Sequence, residues 1–121
     1  MNEQELLANI NNSNWTIRRE VARRIDPSFL MGLMSDEDWK VRLEVARRVD
    51  SIHLPRFLCD KNPDVRCEVA RRIDLSYLPR FLGDIHPDVR RVTMMRIPED
   101  LVPSKHLATF NKFHVKRIIE E

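Results

Sequence analysis

A chain of 121 residues that is 42% hydrophobic and 33% charged carries enough apolar material for one packed domain, which excludes a disordered, collagen-like or membrane-embedded composition. Lys and Arg number 21 against 19 Asp and Glu, and the resulting net charge of +2 is too even for a general polyanion binder. With 2 glycines and 2 cysteines, a turn-rich β fold, a phosphate-cradling loop and a disulfide framework are all poorly supplied. The N-terminal residues show neither a positive region followed by an apolar run nor a membrane-length apolar stretch. A cytoplasmic protein with reduced thiols, away from any membrane, is the expectation.

Residues 1–14 read as a partial unit, because Leu6 and Ile10 fall in register with Leu54 and Leu58. The first full block opens at Trp15 and runs to Arg23-Arg24-Ile25-Asp26, and later blocks open at Trp39, Pro63 and Pro87, a constant period of 24. Residues 41–50 and 65–74 match at 8 of 10 positions. The chain divides into units 15–38, 39–62, 63–86 and 87–110 in a single repeat domain. Residues 111–121 form a C-terminal partial unit, in which Val115-Lys116-Arg117-Ile118 is a first half displaced by about two residues.

Each first half predicts a helix of about three turns, with Val65, Val69, Ala70 and Ile73 on one side of the wheel. Asn14, Asp38 and Asn62 are good N-caps, and His86 takes the same place in the fourth unit. The helices should stop near Asp26, Asp50 and Asp74, the first enforced by Pro27. The second half, Leu54-Pro55-Arg56-Phe57-Leu58, recurs as Leu78-Pro79-Arg80-Phe81-Leu82 and offers one or two turns of 3₁₀ or short α-helix opened by its proline. No segment alternates with a period of two, so the expected class is all-α. One such helix cannot bury its apolar stripe alone, and stacked units therefore form a solenoid of alternating α and short 3₁₀ or α helices around one core.

The string Asn62-Pro63-Asp64-Val65-Arg66-Cys67-Glu68-Val69-Ala70-Arg71-Arg72-Ile73-Asp74, at a period of 24, resembles the leucine-rich repeat variant (LRV) unit. The resemblance extends over residues 5–120 and implies a sheet-free solenoid with a right-handed superhelical twist. HEAT-like repeats look similar but have a longer period. The family's best-known member holds an iron–sulfur cluster on cysteines ahead of its repeats. In this sequence no cysteine precedes Cys59, so the resemblance places no cluster ligand on any numbered residue.

The arginines fall into ladders. Arg18, Arg42, Arg66 and Arg90 share a register inside the apolar sector, so they should be buried and paired with Asp26, Asp50 and Asp74 or with Asp36, Asp60 and Asp84. Arg23, Arg47 and Arg71 point to solvent. Arg24, Arg48 and Arg72 flank the core, each four residues after Glu20, Glu44 or Glu68, and read as a solvated helix-stabilising face or a docking surface for an acidic partner. Trp15 and Trp39 at the first helical position either pack on the previous turn or anchor a partner. Met94 and Met95 replace an Ala-Arg pair and suggest a softer apolar surface. Cys67 should be half-exposed, and His53 should pack in the register of Phe29 and Tyr77.

No cluster has catalytic or metal-ligand spacing, so neither an enzyme, a metal nor a cofactor is expected. The leading expectation is a protein–protein interaction or scaffold module that binds a partner with an acidic surface along its helical strip. Nucleic-acid binding through the arginine ladders is the first alternative, opposed by the acidic ladders. An accessory role in metal-cluster or redox metabolism is the second, and it follows from the resemblance alone.

Overall fold

A computed structural model of the chain describes residues 1–120. Helix α1 (Glu3–Ala8) leads into α2 (Trp15–Arg24), α3 (Trp39–Arg48), α4 (Pro63–Arg72) and α5 (Pro87–Arg96). Between them run the 3₁₀ segments η1 (Pro27–Leu33), η2 (Ser51–Phe57) and η3 (Leu75–Phe81), and η4 (Glu99–Leu101) precedes the long α6 (Ser104–Glu120). Among the described residues there is no strand, and no helix is long and apolar enough to cross a membrane.

Local chemistry sets each boundary. The side chains of Asn14, Asp38, Asn62 and His86 accept from the backbone N–H two residues on, at Thr16, Lys40, Asp64 and Asp88. The α-helices end at Arg24, Arg48 and Arg72, and the next residue turns to extended backbone. Asp26, Asp50 and Asp74 then cap the 3₁₀ segments by accepting from the N–H of Ser28, Ile52 and Ser76. Pro55 and Pro79 lie inside η2 and η3, whereas the sequence reading had proline opening these turns. Capping by Asp50 and Asp74 starts the segments earlier, and a short 3₁₀ run loses only one bond to an internal proline.

Helices α2 to α5 stack side by side, and each of α3, α4 and α5 also packs on the 3₁₀ segment just before it. The core lies between these two layers. It takes Val41, Val45, Ala46 and Val49 from the third-helix turn, Leu54 and Phe57 from η2, and the equivalent residues of the other turns. Leu6 of α1 fills the register of Leu54, as expected, although its segment is α-helical.

The C-terminal end differs from the sequence reading. No new helix begins at residue 111; α6 runs unbroken from Ser104 through that boundary. Its core-facing residues are Leu107, Phe110 and Phe113, while Val115 and Ile118 are exposed. Phe113, not Val115, therefore continues the undisplaced register of Val65 and Val89. The spacing of these three residues keeps them on one helical face.

Candidate interaction surface

The buried arginine ladder sets the frame on which any surface is displayed. Arg18 donates through Nε to Asp36 Oδ2 at 2.8 Å and through Nη2 to Asp36 Oδ1 at 3.1 Å. Arg42 grips Asp60 and Arg66 grips Asp84 in the same bidentate way. The remaining fork nitrogen, Nη1, donates to the carbonyl of Asn12 from Arg18, of Asp36 from Arg42, of Asp60 from Arg66 and of Asp84 from Arg90. Each aspartate carboxylate also accepts a backbone N–H two residues on, at Asp38, Asn62 and His86. One aspartate thus joins the arginine of its own turn to that of the next. Arg18 and Arg66 are only 7% and 8% exposed; Arg42 and Arg90 are half-buried.

These pairs shift titration as the geometry requires. The hydrogen bonds that Arg66 donates to Asp84 hold its guanidinium above its usual range, and those from Arg18 to Asp36 do the same for Arg18. Burial alone would raise the Asp84 carboxyl, but the Arg66 fork and the His86 N–H outweigh it and the net direction is down. Asp26, Asp50 and Asp74 do not pair with this ladder; they are exposed caps of the 3₁₀ segments. Hydrogen bonds from the Ser28 and Ser76 hydroxyls lower the Asp26 and Asp74 carboxyls.

The last arginine of each of α3, α4 and α5 makes a contact that a helical wheel does not reveal. Arg48, Arg72 and Arg96 reach back across the stack and donate to the carbonyls of Ala22, Ala46 and Ala70. Arg72 also donates to Val49 O at 2.7 Å. These contacts satisfy carbonyls near the C-terminal end of the preceding helix and bring positive charge to its dipole. Arg48 and Arg72 are therefore half-buried ties between turns. In the expected i,i+4 set, Arg24–Glu20 forms at 3.8 Å, while Glu44 and Glu68 turn to Arg47 and Arg71 at 3.1 and 3.2 Å. Glu44 is buried and also meets Arg19 at 3.4 Å and Arg23 at 3.6 Å.

Arg23, Arg47 and Arg71 are exposed, as expected. Arg47 and Arg71 line a shallow groove of about 520 Å³ that crosses α3, α4 and α5. Trp39, Leu43, Cys67, Val92 and Met95 give it an apolar seam; Asp64, Glu68, Asp88 and Arg91 complete its rim. Trp39 packs on the core, and the Lys40 ammonium lies between the tryptophans, 4.2 Å from the Trp15 ring and 5.7 Å from the Trp39 ring. Of the methionine pair, Met95 is exposed but Met94 is buried, because Met94 occupies the register of Ala46 and Ala70 that faces the core.

Cys67 is 6% exposed, not half-exposed, because α5 covers this side of α4; burial pushes its thiol up. Cys59 is exposed. His86 caps α5 as expected, and His114 Nε2 lies 3.1 Å from Met94 O, tying α6 to α5. His53 is half-buried, but Phe29 in the same register is exposed, so this position packs only partly. Among the described residues, no three His, Cys, Asp or Glu side chains cluster as a metal site would need.

No family model and no curated protein matches this chain. Among solved structures it is similar to one described as a leucine-rich repeat variant with a novel repetitive protein structural motif. The two share 32% identity at a TM-score of 0.81 over 93% of this chain. The match covers 46% of the other chain, so this chain spans about half the length of the structure it resembles.

Proposed function

We propose that this chain, a solenoid with the leucine-rich repeat variant fold, is a non-enzymatic interaction module that docks a partner protein along the strip from Trp39 to Met95. The observation that carries this reading is a change of character along the strip. On α3 and α4 two neighbouring registers hold Glu44 with Arg47 and Glu68 with Arg71, pairs that satisfy each other. On α5 the same registers hold Val92 and Met95, and Met95 is 53% exposed. Arg91 stands beside them with no hydrogen bond or ion pair among the described residues, whereas Arg19 in the same register reaches Glu44 on the next helix. A partner that presents an apolar side chain to Met95 and a carboxylate to Arg91 fits this end of the strip. Full burial of one such side chain contributes about 1.5–3 kcal/mol, and aromatic anchors such as Trp39 commonly dominate interfaces.

Nucleic acid is less well supported. Asp64, Glu68 and Asp88 line the same groove and would repel phosphates, and Arg47 and Arg71 already hold glutamates. The test is site-specific photo-crosslinking in the cells that make the protein, with the reactive side chain at Met95 or at Arg56 on η2. A discrete protein adduct from Met95 and none from Arg56 is expected. Nuclease-sensitive adducts, or equal labelling from both positions, would overturn the reading.

A further inference from the structure

Among the described residues, one member of the arginine ladder has no carboxylate partner. Arg18, Arg42 and Arg66 each use Nε and Nη2 to grip the aspartate 18 residues further on, and Nη1 to hold a carbonyl. Arg90 keeps the carbonyl bond, to Asp84 O at 2.6 Å, but among the described residues no carboxylate lies within ion-pair distance of it. The register position that supplies aspartate in the earlier turns is Ala108. The cause is the C-terminal rearrangement: η4 is short and α6 starts at Ser104, so no loop returns a carboxylate to Arg90.

Arg90 instead lines a groove of about 550 Å³ between α5 and α6. Leu82, Met94 and Phe113 give it apolar walls, Arg91 stands beside Arg90, and no acidic residue among those described lines it. The filled seats of the ladder show what such a site accepts. Leu33-Met34-Ser35-Asp36, Phe57-Leu58-Cys59-Asp60 and Phe81-Leu82-Gly83-Asp84 share two apolar residues just ahead of an intervening residue and the aspartate.

We propose that the α5–α6 groove binds an acidic segment of a partner protein, whose aspartate forks onto Arg90 Nε and Nη2 while its preceding apolar pair packs on Met95 and Phe113. The geometry of the guanidinium fork matches a carboxylate bidentately, as it does in the three earlier turns. The site adjoins the Trp39–Met95 strip and rests on the interaction-module reading only in taking a protein as the ligand's source.

The test is fluorescence anisotropy of the full chain with an end-blocked, labelled peptide of residues 77–86, which carries Phe81-Leu82-Gly83-Asp84. The peptide should bind about tenfold or more tighter than its Asp84→Asn form, since the lost contact is a charge-assisted fork. The Arg90→Lys chain keeps a cation but loses the fork, and with Arg91 still beside it the preference for the native peptide should shrink several-fold without vanishing. Circular dichroism melts establish that this variant is folded. Trp39→Ala should leave peptide binding unchanged, so failure of the strip reading and failure of this one are separable. No binding, equal binding of the two peptides by the native chain, or a preference undiminished by Arg90→Lys overturns the proposal.

Discussion

Arg66→Ala should be among the most damaging single changes in this chain. Arg66 is 8% exposed, and its fork bonds Asp84 at 2.9 and 3.0 Å and Asp60 O at 2.7 Å. Truncation leaves the Asp84 carboxylate beneath the surface with only the His86 N–H, and leaves the Asp60 carbonyl unpaired. Breaking a buried pair in this way costs about 3–5 kcal/mol. The Asp84 side chain is 10% exposed, close to the surface, so the lower end, about 3 kcal/mol, is the expectation. Urea unfolding followed by circular dichroism measures it, with an unchanged denaturant slope as the check on two-state behaviour. Arg71→Ala is the internal control: its partner Glu68 is nearer solvent, and a loss within about 0.5 kcal/mol is expected. In the cycle with Asp84→Ala, the coupling should exceed about 1.5 kcal/mol. A cost for Arg66→Ala below about 1 kcal/mol, or no greater than that of Arg71→Ala, would refute the structural role assigned to the ladder.

Acid should unfold the chain partly through Asp84: its carboxyl is lowered in the fold, so the stability it contributes is present above the ordinary aspartate value near about 3.9 and is lost as pH falls below it. Asp84→Asn should flatten that part of a stability-against-pH curve, and an unaltered curve would contradict this. A thiol titration of the native chain should give one fast reaction, at exposed Cys59, with buried Cys67 reacting only on unfolding; two fast thiols would be inconsistent with the packing of α5 on α4. Charge reversal at Arg71 should be nearly neutral, within about 0.5 kcal/mol, whereas Arg23→Glu with Arg47→Glu should cost clearly more in urea melts because both cover buried Glu44. Duplex DNA and RNA should bind no tighter than about 10⁻⁶ M at physiological salt, the non-specific level; a tighter, sequence-selective titration would restore the nucleic-acid reading.

The period of 24, the helix caps and the burial of Arg18 and Arg66 were legible because each depends on spacing within one turn or on exact recurrence. What escaped depends on the lateral neighbour. A wheel drawn for one helix has one buried sector, but a helix inside a stack is covered by the turns before and after it as well. Glu44, Cys67 and Met94 are buried for that reason, and Arg48 and Arg72 spend their charge on carbonyls 26 residues upstream. Asp36, Asp60 and Asp84 and the Asp26 series were equally good partners on paper. The choice between them needed the path of the loop, which returns the first series to the arginines and leaves the second at the 3₁₀ caps. The start of α6 ahead of residue 111 is not legible from Val115-Lys116-Arg117-Ile118, because the core-facing residue is Phe113, which keeps the undisplaced register.

The claim that a partner protein docks on the Trp39–Met95 strip is tested most directly by titrating the crosslinked partner, once purified, against alanine variants of the full chain. Trp39→Ala and Met95→Ala are predicted to weaken binding about tenfold or more each, as truncation of a central anchor does. Arg56→Ala and Arg80→Ala, exposed on the 3₁₀ layer, are predicted to leave it unchanged. Full affinity in both strip variants, or a loss confined to Arg56→Ala and Arg80→Ala, would contradict the account.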